Sequence, residues 1–193
     1  MTRIEKLESD IRALYDAKNP QRDEWADWLA KDHVFIVADY SEYLSERFGA
    51  NREYSKAAAM LHDIADAVMS RFDEKHEEES LSIARELLQK NGFDEQEIQL
   101  IIDDAVKYHS CRNGKVPQSL EGKVLATADS LAHLKSDFYA IAKTIKQKNH
   151  TPKQISEWAL KKLERDYYNK IQFDEIRVEV KSDYERLKEQ FTI

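Results

Sequence analysis

Six side chains of the kind that hold metal ions fall where helices would be expected to bury apolar residues. His33 follows Leu29 by four residues and precedes Ile36 and Val37 by three and four, so it shares their helical face. His62 shares a stripe with Ala58, Ala65 and Met69, and Asp63 lies beside it. His76 precedes Ile83 by seven and Leu87 by eleven, and His109 follows Ala105 by four. Asp129 follows Leu125 by four and precedes Ala132 by three. A buried, unpaired carboxylate costs roughly several kcal/mol, and a buried imidazole without partners is also unfavourable. One such residue is ordinarily a hydrogen-bonded core residue, but six from five helices need a shared cause. Imidazoles and carboxylates converging on one or two divalent cations satisfy each other. The mixture of nitrogen and oxygen donors suits Mn, Fe, Co, Ni or Zn better than calcium, and admits Mg.

The elements that must carry these residues are helices. Four Gly and three Pro in 193 positions are too few turn signals for a sandwich of short strands. The periodicity predicts a first helix through Ile4, Leu7, Ile11 and Leu14, stopped at Asn19-Pro20. A second runs from about Asp23 to Phe48 before Gly49, and a third from about Arg52 to Ser70 with small residues at Ala57, Ala58 and Ala59. Residues 76–90 form a fourth, Asp94 caps a fifth, and a loop over 110–118 leads to a sixth from Ser119. Thr151-Pro152 opens a later helix with Ile155, Trp158 and Leu163. In the tail Ile176, Val178 and Val180 alternate, but Phe173, Ile176, Val180, Tyr184, Leu187 and Phe191 keep helical spacing, and helix is expected.

With these residues in place, the order His33 … His62-Asp63 … Asp129 resembles the H…HD…D signature of the HD-domain metal-dependent phosphohydrolases. The local wording fits too: AAAMLHDI around the doublet and LATADSLAHL around the last Asp. The resemblance implies an all-α, single-domain bundle with its core over about 23–135 and helical extensions over 1–18 and 152–191. His76 and His109 sit where a binuclear branch of that family has two extra histidines. The resemblance therefore implies His33, Asp63 and Asp129 at a first metal and His62, His76 and His109 at a second, bridged by Asp63. Asp63, or a water it orients, would handle the proton. The chain departs from the family after the doublet, where many members have Gly and Lys and this one reads Ile64-Ala65-Asp66.

The remaining candidates are weaker. His133, four after Asp129, can orient that carboxylate or close a helix end, and His150 precedes a helix start in a loop. Arg112 and Lys115 follow His109 and could meet a substrate phosphate at the pocket rim. Trp25 and Trp28 read as core anchors, and Cys111 has no cationic neighbour beyond Arg112. Thirty Lys and Arg against 37 Asp and Glu give a net charge of −7, which argues against a nucleic-acid binder. With one Cys, no apolar core in MTRIEKLESDIR and no long apolar run, a cytoplasmic protein with no membrane partner is expected. The expected activity is hydrolysis of a phosphate ester or anhydride of a nucleotide or small metabolite. The alternatives are a di-iron oxygenase and a non-catalytic, metal-stabilised nucleotide sensor. The sequence leaves oligomeric state open.

Overall fold

The computed structural model describes residues 1–192, and no strand occurs among them. Helix α1 spans Arg3–Asp16, closed at its start by a reciprocal Thr2–Glu5 capping box. Helix α2 covers 26–48, made of Ala26–Leu29, a π-helical Ala30–Val34 and Phe35–Phe48. It ends where Gly49 turns left-handed at φ +75°, a conformation other residues adopt only with strain. Helix α3 (Arg52–Leu61) is capped by Asn51 and buries Ala57, Ala58 and Ala59 completely. Those small side chains let α3 lie close to α2 and to α6 (Leu120–Lys135).

Helix α4 is His76–Lys90, and α5 covers 95–106 as Glu95–Ile98 followed by a π-helical Gln99–Val106. Asp94 and Glu97 form the capping box of α5. The start of α6 is tied to α5 by Asp104, whose carboxylate accepts from the Gln118 and Ser119 backbone N–H groups and the Ser119 hydroxyl. Gly122 makes this approach feasible, since a Cβ there would stand 2.5 Å from Pro117 Cβ. Helix α6 is the central element and is buried almost throughout. Helix α7 is Phe138–Lys146, and α8 covers 152–170, as Pro152–Glu164 and a π-helical Arg165–Lys170. Short α9 (Asp174–Glu179) and α10 (Lys181–Phe191) follow, with α10 packed on α8 and α6. The ambiguous tail is helical.

The third helix departs from its expected span. It stops at Leu61, not Ser70, and the chain continues through a turn into a 3₁₀ segment, Ile64–Ala67. Neighbouring residues on an α-helix diverge by about 100°, so a continuous helix would point His62 and Asp63 apart. With the break, Asp63 adopts φ −137° and ψ 38°, and its Oδ2 comes within 3.8 Å of His62 Nε2.

Candidate metal centre

Five of the six expected ligands meet in one place. The π-helical stretch of α2 brings His33, the end of α3 brings His62 and Asp63, α6 brings Asp129, and His109 stands just beyond α5. One ligand atom from each of His33, His62 and Asp129 lies within 4.8 Å of the others, and the same holds for His62, Asp63 and His109. His33 Nε2 is 3.4 Å from Asp129 Oδ1, and His109 Nε2 is 4.0 Å from Asp63 Oδ1.

The proton positions follow from the second partners of the rings. His62 Nδ1 lies 2.6 Å from the Ala59 carbonyl, and His109 Nδ1 lies 2.6 Å from the Val106 carbonyl. A carbonyl oxygen only accepts, so both Nδ1 atoms carry the proton and both Nε2 atoms present a lone pair to the cluster. This is how a backbone carbonyl orients a metal-binding histidine. His62 Nε2, His33 Nδ1 and Asp129 Oδ1 are buried and without a hydrogen-bond partner among the described residues. Unsatisfied buried polar atoms are rare, so three in one cluster fit a cation-binding site.

Electrostatics keep the donors in ligand form. Burial pushes His109 down to about 4 and lowers His33 too, so both are neutral at pH 7. Burial alone would raise the Asp63 carboxyl, but the Arg71 guanidinium outweighs it and holds it well below the usual carboxylate range. Asp129 is likewise held down against burial by the charge of Lys170. Asp129 is ion-paired with buried Lys170, and Asp63 lies 2.9 Å from Arg71 Nη2.

His76 stands apart from the five. It lines the same cavity, but its Nε2 is 2.9 Å from Asp66 Oδ1, and Asp66 is also ion-paired with Arg71. The carboxylate that replaces the family's usual Lys is thus neutralised by an arginine five residues later. Arg112 lines the cavity, whereas Lys115 is exposed and lies outside its lining. Trp25 and Trp28 are not buried anchors: both are partly exposed and form cavity wall. His133 orients rather than caps, with Nε2 3.3 Å from Asp129 Oδ1 and Nδ1 3.1 Å from Asp166 Oδ2. Burial pushes it down to about 3. Cys111 is buried, which pushes its thiol up to about 11.

Sequence reasoning missed Arg71, Lys170 and the buried set around Asp166. That carboxylate is fully buried, accepts from Tyr139 Oη at 2.7 Å and pairs with Lys162 at 3.2 Å. The Lys162–Asp166 spacing of four was a signal for an ion pair, but nothing in it indicated burial.

The HD domain family model matches residues 31–134. No curated protein matches the chain. The crystal structure of a predicted HD superfamily hydrolase from an uncultured Thermotogales bacterium is similar in fold, with a TM-score of 0.57 and 19% identity, over 99% of this chain and 94% of that one. No helix among the described residues is long and apolar enough to cross a membrane. The match takes in more than half of the sequence and all five clustered donors, and the chain belongs to the HD domain family.

Proposed function

We propose that this protein is a metal-dependent phosphohydrolase, acting on a phosphate ester or anhydride of a nucleotide or small metabolite. The observation that carries the reading is the pair of Nδ1-anchored imidazoles, His62 and His109, whose lone pairs face two ionised carboxylates. A divalent ion would be held by His33, His62, Asp63 and Asp129, with His109 beside Asp63. When bound, such an ion supplies Lewis acidity toward a phosphoryl oxygen and acidifies water. Asp63, held ionised and partly exposed, acts as ligand and as hydrogen-bond acceptor that orients a water. Asp63, or the water it orients, would handle the proton. Arg71 and Arg112, both in the cavity lining, offer guanidinium groups to phosphoryl oxygens.

The test is elemental analysis of chain purified without chelator, then assay with phosphate esters and anhydrides in Mn, Fe, Co, Ni and Mg. Bound metal, loss of at least about 100-fold in turnover on stripping, and metal loss in Asp129→Ala are expected. Full metal occupancy in Asp129→Ala, or turnover indifferent to stripping, would overturn the reading. Turnover that consumes oxygen would move it to the di-iron alternative. Nucleotide binding without turnover in every metal would move it to the sensor.

A further inference from the structure

A cavity of about 440 Å³ opens from the donor cluster, and all three tryptophans of the chain line it. None of Trp25, Trp28 and Trp158 is fully buried. The aromatic wall begins at the donors themselves. The Phe138 ring is 5.6 Å from that of His33 and 4.0 Å from that of His133. Trp28 continues it at 6.0 Å from Phe138, and Trp158 stands 6.2 Å from Tyr139, whose ring is 5.5 Å from Phe138. Indole faces turned to a cavity forgo the contacts that packing or a ligand would give them.

The same lobe is cationic in a chain whose net charge is −7. Lys162 Nζ lies 4.9 Å from the Phe138 ring centre, and Lys146 Nζ lies 4.5 Å from that of Trp158. Arg165 also lines the cavity. Lys162 is already paired with Asp166, but among the described residues Lys146 and Arg165 have no carboxylate partner, and Arg165 Nε is buried without a hydrogen bond. Trp28, Phe138, Lys146, Trp158, Lys162 and Arg165 all lie outside residues 31–134, so the lobe is built from residues beyond those the family model matches.

We propose that this lobe is a binding subsite for the part of the substrate that is not attacked, a flat aromatic group carrying negative charge beyond the reacting phosphoryl group. The ring would lie against Phe138, Trp28 and Trp158, and the added charge would face Lys146 and Arg165. The inference rests on the phosphohydrolase reading for the placement of the reacting group at the donors.

Non-hydrolysable probes separate the two parts. Binding of methylphosphonate, phenylphosphonate and α,β-methylene-ADP to the full-length, metal-loaded chain is measured by calorimetry and by tryptophan fluorescence. Phenylphosphonate is expected to bind at least about tenfold more tightly than methylphosphonate, and α,β-methylene-ADP about tenfold more tightly again. Trp158→Ala should abolish the phenyl-over-methyl preference and leave metal content unchanged. Trp28→Leu provides the same reading if Trp158→Ala does not fold. The Lys146→Ala/Arg165→Ala variant should lose the added gain for the nucleotide while keeping the phenyl preference. Equal affinity for the two phosphonates, or an unchanged preference in a folded Trp158→Ala or Trp28→Leu variant, overturns the subsite. A ring preference in a protein that hydrolyses no phosphate ester would leave the subsite standing and overturn the phosphohydrolase reading; turnover with no preference would do the reverse.

Discussion

Arg71 is expected to limit how many ions the centre holds. Its guanidinium pairs with both Asp63 and Asp66, and Asp66 in turn engages His76. The residues that would otherwise serve a second ion are thereby already neutralised. Wild-type chain dialysed against Mn is expected to retain about one ion, and Arg71→Met, by freeing Asp63, Asp66 and His76, to move toward about two. Elemental analysis reads this directly, and a stoichiometry unmoved by the substitution would count against a cation-filled second position. The distinction was invisible in the sequence, because Arg71 lies past the helix break and carries no periodic signal. The clustered donors were legible for the opposite reason: His33, His62, His109 and Asp129 each broke an apolar stripe, and Asp63 was read from the doublet it forms with His62.

At the scale of elements, three π-helical stretches deliver residues of the centre: Ala30–Val34 holds His33, Gln99–Val106 precedes His109, and Arg165–Lys170 holds Asp166 and Lys170. A widened turn shifts every later side chain relative to a regular helix, and such turns concentrate at functional sites. Apolar spacing identified the helices around Leu29, Ile102 and Leu163, since an expanded turn barely disturbs a stripe. It could not place Asp166 and Lys170, whose burial depends on α8 packing on α6. There Ser130 Oγ donates to the Asp166 backbone carbonyl at 2.7 Å. The Asp166 carboxylate leaves Lys162 compensated, although burial still pushes that amine down to about 8. Asp166→Ala removes the partner of a buried lysine, of Tyr139 and of His133 together. Breaking a buried pair costs about 3–5 kcal/mol, so Tm should fall by roughly 6–20 °C. A change of only a degree or two would mean that α8 does not depend on this pair.

For the whole molecule, the centre makes folding depend on pH in a way that metal can offset. His109 and His133 are held near 4 and 3 by burial, against about 6.5 in an unfolded chain, and His33 is lowered as well. The folded state therefore binds fewer protons than the unfolded one below about pH 6.5, and stability falls as the solution is acidified through that point. Below about pH 4 the depressed carboxyls of Asp63, Asp129 and Asp166 add a loss of the same sign. At pH 5 His109 and His133 are still neutral when folded, and each costs about 2 kcal/mol, which for a chain of this size is a Tm drop on the order of 10 °C. An ion at 100 times its Kd adds about 2.7 kcal/mol, and less only where protons compete for the folded imidazoles, near pH 4. Thermal melts in chelator should thus decline from pH 7 to pH 5, while melts with Mn run higher throughout and close on them only below about pH 4. A flat Tm between pH 6.5 and pH 5 in chelator would show that the imidazoles are not buried neutral. A gap that persists well below pH 4 would show that the added ion binds elsewhere than at His33, His62, Asp63 and Asp129.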